Sequence, residues 1–208
     1  MTNSPTLVEF KDTVRDAFAY LGREFAFRET EPPASHLTMN PFIVWFANET
    51  TLVQVEGINW GFAAQVALGP VGSRDEHATV PLWAVIKHRR PEVYEEFTRS
   101  TGQLGDVRAH ARALREVATD VLRGDFRVFA AARAIVEAQR VQLRESQRQE
   151  SRDRNYRAAV TAAADAFRAR DFGRVVELLM PHMEVLTPAE RARLSYARAH
   201  VDRDHGAA

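Results

Sequence analysis

The densest group of reactive side chains in the sequence is the run Asp75, Glu76 and His77. Two carboxylates beside an imidazole can bind a divalent cation or transfer protons. The run falls in segment 69–79, whose glycines and proline predict a loop. A solvated charged loop explains the same residues without any ligand, and we favour that interpretation. The alternative is an enzyme, or a small-ligand or nucleotide sensor, with its site at this loop.

Tryptophan side chains point to a second kind of site. Trp45 lies in an apolar run and faces the same way as two glutamines of neighbouring runs, whereas Trp60 lies in a turn. Protein-binding surfaces are enriched in Trp. The candidate binding residues are therefore Trp45, Gln54, Gln65 and Trp60. For Trp45 the alternative, which we favour, is burial beneath a further helix or beneath the C-terminal repeat.

Motifs for common enzyme chemistry are missing from the sequence. We find no phosphate-binding Gly-x4-Gly-Lys-Ser/Thr loop, no dinucleotide-binding glycine fingerprint and no His-Glu-x-x-His helix. No Gly-x-Ser-x-Gly elbow occurs. The chain has no cysteine, which excludes disulfides, thiolate metal sites and thiol nucleophiles. We expect no cofactor and favour a non-enzymatic role.

The elements that would position the tryptophans form a sheet. Three runs rich in β-branched and aromatic residues, 42–46, 51–56 and 62–68, are separated by turn-like residues and predict an antiparallel meander. Segment 24–30 alternates in the same way and is predicted as the first strand. The sequence thus predicts a four-stranded sheet in an α+β fold.

Alternation gives this sheet two different faces. One face is apolar throughout and is expected to pack against helices; it carries Phe42, Val44, Phe46, Val53, Val55, Phe62, Ala64, Val66 and Leu68. The other is mixed and is expected to meet solvent or a partner; it carries Ile43, Trp45, Leu52, Gln54, Glu56, Ala63, Gln65 and Ala67.

Apolar residues at three- and four-residue intervals predict helices over 7–21 and 107–122. Segment 34–40 is predicted as a loop. Segment 80–88 fits a helix and a strand, and the helix is preferred. Gly124 supplies a helix stop, followed at once by a start signal, so a further helix begins near residue 126.

The chain is predicted to divide into an α+β domain, 1–145, and a helical segment, 156–204. Between them, 146–155 is polar on nearly every side and is either a linker or a helix extension. Thr187 to Glu190 forms a capping box with proline at the first helical position, which predicts a helix start.

Residues 163–201 resemble a tetratricopeptide-type helical repeat. An alanine-rich helix leads into Arg168-Ala169-Arg170-Asp171-Phe172, like the turn that opens the second helix of such repeats. The second helix ends near Pro181 or Pro188, and a third helix would start a further repeat. Val175 replaces the small residue usual in the family, and the first helix lacks its Trp. The resemblance implies helix pairs that bind proteins.

Residues 1–145 are similar to uncharacterised bacterial proteins that combine a helix, a meander and a late pair of helices. The corner Leu122-Arg123-Gly124-Asp125-Phe126 carries this similarity. Some small bacterial immunity proteins have comparable sheets. The resemblance implies a bacterial adaptor or immunity-like binder.

Charge and hydropathy limit the classes of partner that the sequence predicts. The net charge is zero, with −4 on residues 1–103 and +4 on residues 104–208. Segment 139–157 has six Arg against three acids, but it lacks the interleaved aromatics of a nucleic-acid-binding strand, so nucleic acid is not the expected partner. No apolar run is long enough for a membrane span, and the N-terminus lacks a signal peptide. We expect a cytoplasmic protein that binds another protein, and a second copy of the chain stays open as that partner.

Overall fold

The computed structural model describes residues 5–58, 62–73, 78–97, 99 and 101–206. Two compact units comprise Met1–Gln139 and Arg140–Ala208. The helices are α1 (Leu7–Ala17), α2 (Ala19–Phe25), α3 (Ala34–Met39), α4 (Leu82–Arg89), α5 (Pro91–Phe97), α6 (Gln103–Val117), α7 (Thr119–Leu122), α8 (Phe129–Arg168), α9 (Phe172–Leu179) and α10 (Pro188–Gly206). The strands are β1 (Arg28–Thr30), β2 (Ile43–Ala47), β3 (Thr51–Ile58), β4 (Ala63–Pro70) and β5 (Val80–Pro81).

The strands form an antiparallel meander in the order β1-β2-β3-β4-β5. The prediction of an antiparallel sheet among helices is confirmed, but the described residues form five strands rather than four. The extra strand is short because Pro81 has no N–H to continue the ladder. Pro81 instead precedes α4, so segment 80–88 begins as a strand and continues as the preferred helix.

The predicted first strand, 24–30, is wrong over its first half. Helix α2 runs through Phe25, and β1 begins only at Arg28. Ala26 ends the helix in the left-handed conformation, with φ 58°, and its N–H donates to the carbonyl of Leu21. The backbone satisfies this helix end, so the phenylalanine alternation that suggested a strand does not decide the local structure.

Two further predictions differ from the structure. The helix predicted over 7–21 is split at Phe18 into α1 and α2, and α2 continues to Phe25. Segment 34–40, predicted as a loop, contains α3. Pro33 directly precedes α3, and a proline fixes the φ angle at the entrance to the helix.

The main core lies between the sheet and helices α1, α4 and α6. Of the predicted inward residues, Val44, Phe46, Val53, Val55, Ala64, Val66 and Leu68 are buried. Phe62 was predicted with them but precedes β4 and is 65% exposed. The helical residues predicted over 107–122 are also buried, although the helix breaks at Ala118 into α6 and α7.

Gly124 makes the predicted corner after α7. Its φ of 88° lies in the region that favours glycine. A Cβ at this position would also come within 2.8 Å of the hydroxyl of Thr50. The corner therefore needs glycine for both backbone conformation and space.

The second unit contains the later part of α8, with α9 and α10. Its core comprises Ala163, Val175, Leu179, Leu186, Leu194 and Ala197. Asp171 starts α9 by accepting a hydrogen bond from the Arg174 N–H at 3.0 Å. The Thr187–Glu190 capping box is formed, with Glu190 accepting from the Thr187 N–H at 2.7 Å. Residues 146–155 are helical, within α8.

Candidate interaction surface

The face of the sheet turned away from the main core is where the sequence places its candidate binding residues. We call it the outer face. It comprises Arg28, Thr30, Ile43, Trp45, Ala47, Leu52, Gln54, Glu56, Ile58, Ala63, Gln65 and Ala67. Apart from Ile43, which is buried, its side chains are half-buried or exposed. The face therefore mixes apolar and amide groups in partial contact with solvent.

Strand register brings two of the predicted residues together. Trp45 of β2 lies directly opposite Gln54 of β3, and Thr30 of β1 lies opposite Trp45 on the other side. Facing side chains on adjacent antiparallel strands are within contact distance. The predicted pair of Trp45 and Gln54 thus forms one row across the outer face.

Gln65 lies one row further along the same face. It stands opposite Glu56, and its amide nitrogen donates to the Glu56 carboxylate at 2.9 Å. The side chain of Gln65 is exposed. It therefore forms a polar margin beside the Trp45 row.

Trp45 is partly covered by α3. The ring of His36 meets the indole edge-on, with 5.3 Å between ring centroids. The indole Nε1–H is buried and has no acceptor among the residues that the structure describes. A buried donor without an acceptor costs about 1–3 kcal/mol. The described part of the chain therefore leaves the Trp45 indole without a hydrogen-bond acceptor.

The helix that covers Trp45 is short and has no fully buried residue. None of the residues of α3 is buried, and Met39 is 84% exposed. The hydrogen bonds that define α3 are local: the N–H groups of His36 and Leu37 donate to the carbonyl of Pro33, and no side chain caps the N-terminus. A helix of six residues is marginal in water by itself. Its C-cap residue, Asn40, ties it to β3, because the side-chain amide donates to the Gly57 carbonyl at 2.9 Å.

A cavity of about 440 Å³ adjoins this helix and the sheet. Leu37 of α3, Ile43 of β2 and Thr30 of β1 line it, together with charged side chains of Lys11 and Glu29. Thr30 belongs to the Trp45 row, so the cavity opens beside that row. It provides a concave border to the outer face.

The other predicted site residues cannot be placed. Trp60 and the run Asp75, Glu76 and His77 lie outside the described residues. Within the described ranges, no group of three or more histidines, aspartates or glutamates is arranged to hold a metal ion. Among the same residues, no helix has the length and apolarity needed to cross a membrane.

A buried polar stripe on α6 escaped the sequence reasoning. Asp106 accepts hydrogen bonds from the N–H groups of Thr101, at 2.9 Å, and Ala64, at 3.3 Å. Burial lowers the pKa of His110, whose Nδ1 faces the carbonyl of Asp106. Gln103 is buried, and neither atom of its amide has a partner in the described part of the chain. The spacing i, i+3 and i+7 was the available signal, since it places all three residues on one helical face.

The carboxylates of this unit stabilise the fold. The carboxylate of Asp106 holds the start of α6 against β4, because both of its oxygens bind backbone N–H groups. Asp120 forms a bidentate ion pair with Arg89, in which both N···O distances are 2.6 Å. This pairing lowers the pKa of the Asp120 carboxyl. Engaged carboxylates of this kind fix helix ends and are poorly placed as general bases.

The second unit also has exposed apolar side chains. Met180, Met183 and Val185 are 38%, 51% and 62% exposed and lie within six residues after α9. Tyr196 is 50% exposed and stacks on His200 with 4.2 Å between centroids. This surface belongs to the helices that the sequence offers as the other place for a protein partner.

Comparison with known proteins adds no relative: no protein-family model matches the chain, and neither a curated protein nor a solved structure is similar to it.

Proposed function

We propose that this chain is a non-enzymatic protein that binds another protein through the outer face of its sheet, with Trp45 at the centre. The observation that carries the proposal is the buried indole N–H of Trp45, which has no acceptor among the described residues and lies beneath the short helix α3. The adaptor or immunity-like role implied by the resemblances is part of this proposal.

The indole supplies the anchor. A partner carbonyl or carboxylate that accepts from Nε1 would satisfy the donor that this chain leaves unpaired. Reaching it requires α3 to move aside, a movement that exposes no fully buried residue of α3. Trp is also the side chain most often found at the energetic centre of a protein interface.

The surroundings define the chemistry of the partner surface. Leu52, Ala47 and Ala67 give the outer face an apolar centre, and Gln54 adds an amide to the Trp45 row. Charge is confined to Arg28 and to Glu56, which is already bonded to a glutamine. This composition suits an apolar partner segment with hydrogen-bonding groups and little net charge.

Photocrosslinking tests the proposal directly. A photoreactive amino acid replaces Gln54 in one variant and Gln65 in another, and the full chain is expressed in cells of its source organism. Replacement at Glu116, an exposed position on α6, is the matched control. We expect one discrete cross-linked protein from positions 54 and 65 and none from 116. The mass of the product distinguishes a different protein from a second copy of this chain.

Trp45→Ala in the same background completes the test. We expect this substitution to remove the cross-link from position 54 while the chain remains folded by circular dichroism. Equal cross-linking from positions 54 and 116, or a cross-link that is unaffected by Trp45→Ala, would overturn the proposal.

A further inference from the structure

A groove separate from the outer face lies between helices α1, α2 and α6. It has a volume of about 460 Å³. Ala17 of α1 and Tyr20 of α2 line one side, and α6 supplies the other. This volume lies in the range of pockets that bind small molecules.

Helix α6 lines the groove with three arginines. Arg108, Arg112 and Arg115 are spaced i, i+4 and i+7, so all three lie along one helical face. Small residues lie among them: Gly105 and Ala111 also line the groove. The result is a concave surface with a narrow apolar floor and guanidinium groups around it.

Two of these arginines have no ion-pair partner within the described ranges. Arg115 pairs with Glu24 at 2.5 Å and also lies over the ring of Tyr20 at 5.4 Å. Arg108 and Arg112 are exposed and form no ion pair with any residue that the structure describes. Like charges four residues apart on a helix repel each other, and an anion between them would relieve the repulsion.

The wall opposite the arginines is fixed and uncharged. The hydroxyl of Tyr20 donates to the carbonyl of Ala111 at 3.0 Å, which holds the ring against α6. Burial raises the pKa of Tyr20, so its side chain stays neutral and adds no negative charge to the groove. Among the described residues that line the groove none is acidic, and the Glu24 that engages Arg115 lies outside this lining.

We propose that this groove binds the phosphate group of a small phosphorylated molecule, held by Arg108 and Arg112. The planar guanidinium group matches phosphate through paired N–H···O bonds, and the match is specific to arginine rather than lysine. An open groove of this size has room for a compact ligand such as a sugar phosphate or a nucleoside monophosphate. The phosphate is the shared feature, and the remainder of the ligand fills the space over Ala17 and Gly105.

The chain supplies its own control for charge alone. Arg144 and Arg148 on α8 have the same i, i+4 spacing and are also exposed, but the helix around them is exposed on every side. They present the same charges without a groove. A site that depends on concavity must discriminate between the two pairs.

The test measures binding of glucose 6-phosphate, adenosine monophosphate and inorganic phosphate to the full chain by calorimetry. The Arg Nε–H resonances in NMR spectra of the same samples report which side chains respond. We expect saturable binding of at least one of these probes, with shifts at Arg108 and Arg112. The double variant Arg108→Gln/Arg112→Gln should bind about tenfold or more weakly, because two charge-assisted contacts are lost. Arg144→Gln/Arg148→Gln should bind like the unaltered chain.

Lysine substitution separates geometry from charge. Arg108→Lys/Arg112→Lys keeps both charges and should still bind more weakly than the unaltered chain. The proposal is overturned if none of the three probes binds saturably, or if both glutamine double variants lose affinity equally. Binding of phosphatidic acid vesicles without binding of the soluble phosphates would also overturn it, since the ligand would then be a membrane surface.

Discussion

The two faces of the sheet are formed by the same strands but differ in the hydrogen bonding of their buried polar groups. On β3, Val53 and Val55 face inward and are fully buried, whereas Gln54 between them faces outward and is half-buried. The inward hydroxyl of Thr51 is buried and donates to the carbonyl of Val121 at 2.8 Å. The outward indole N–H of Trp45 is buried and has no acceptor in the described chain. Thr51 on the inner face therefore has its hydrogen-bond partner, and the Trp45 indole on the outer face has none among the described residues.

The inner side has one exception that limits the comparison. The amide of Gln103 packs against Gly57 and has no partner among the described residues. It lies at the first turn of α6, where the helix meets β3. An unpaired polar group is therefore informative only together with the exposure of the residue that carries it: Trp45 is half-buried, whereas Gln103 is buried.

The largest expected effect is on the inner face. Leu68→Ala removes a fully buried side chain and should lower the free energy of unfolding by about 2–5 kcal/mol, through lost burial and the cavity left behind. Chemical denaturation of the full chain measures the change. A loss below about 1 kcal/mol would show that this face is not the rigid core described here.

Gly57→Ala should cause the next largest loss in the free energy of unfolding. The added Cβ would come within 2.2 Å of the Gln103 amide nitrogen and 2.9 Å of the Phe42 Cβ, so we expect a loss of about 1–3 kcal/mol. Gln103→Ala in the same chain should restore part of that loss, because one of the two clashes disappears. Simple additivity of the two substitutions in denaturation experiments would contradict the contact.

On the outer face, Trp45→Phe is expected to be nearly neutral. Phenylalanine keeps an aromatic ring beneath His36, but the ring is smaller than the indole, which lowers stability. It also removes an N–H that has no acceptor in the described chain, which raises stability. We expect the two effects to offset each other within about 1 kcal/mol. Thermal unfolding of the two chains in parallel gives the difference. A large loss of stability would indicate that the indole nitrogen has an acceptor in solution.

Acidification should destabilise the first unit through His110. Burial lowers the pKa of His110 in the folded chain, so the unfolded chain takes up the proton at higher pH. The stability that this residue contributes is complete above its unfolded pKa, about 6.5, and is lost as pH falls towards the folded value. His110→Gln should flatten the slope of unfolding free energy below pH 6.5. An unchanged slope in that variant would assign the pH dependence to other groups.

Gln65→Ala is expected to have the smallest effect. Gln65 is exposed and bonded only to Glu56 in the described chain, so the free energy of unfolding should change by no more than about 0.5 kcal/mol. Denaturation curves under the conditions used for Leu68→Ala give the comparison. A loss similar to that of Leu68→Ala would remove the distinction between the faces.

Alternation and helical periodicity were sufficient to predict the meander, its buried face and the α6 positions in the core. Alternating residues fix which side chains share a face whatever the rest of the chain does. They also placed Trp45 and Gln54 on the same side of the sheet, which the register confirms. The part of the candidate site that follows from strand alternation, with Trp45 and Gln54 on one face, could therefore be predicted from the sequence.

The features that the sequence did not predict either lack a periodic pattern or form only through contacts between distant parts of the chain. Helix α3 buries none of its residues and so has no apolar period to detect. Strand β5 is two residues long and exists only through its pairing with β4. The groove beside α6 requires Ala17 and Tyr20 to approach helix residues about 90 positions later. Sequence spacing carries no signal for such contacts.

The central claim is that Trp45 serves a partner more than it serves the fold. The most direct measurement is the affinity of the Trp45→Ala chain for the protein captured by photocrosslinking, alongside its free energy of unfolding. We predict a loss of affinity of about tenfold or more, as expected for the Trp at the centre of an interface, with a smaller loss of stability. Unchanged affinity together with a large loss of stability would make Trp45 part of the core and contradict the account.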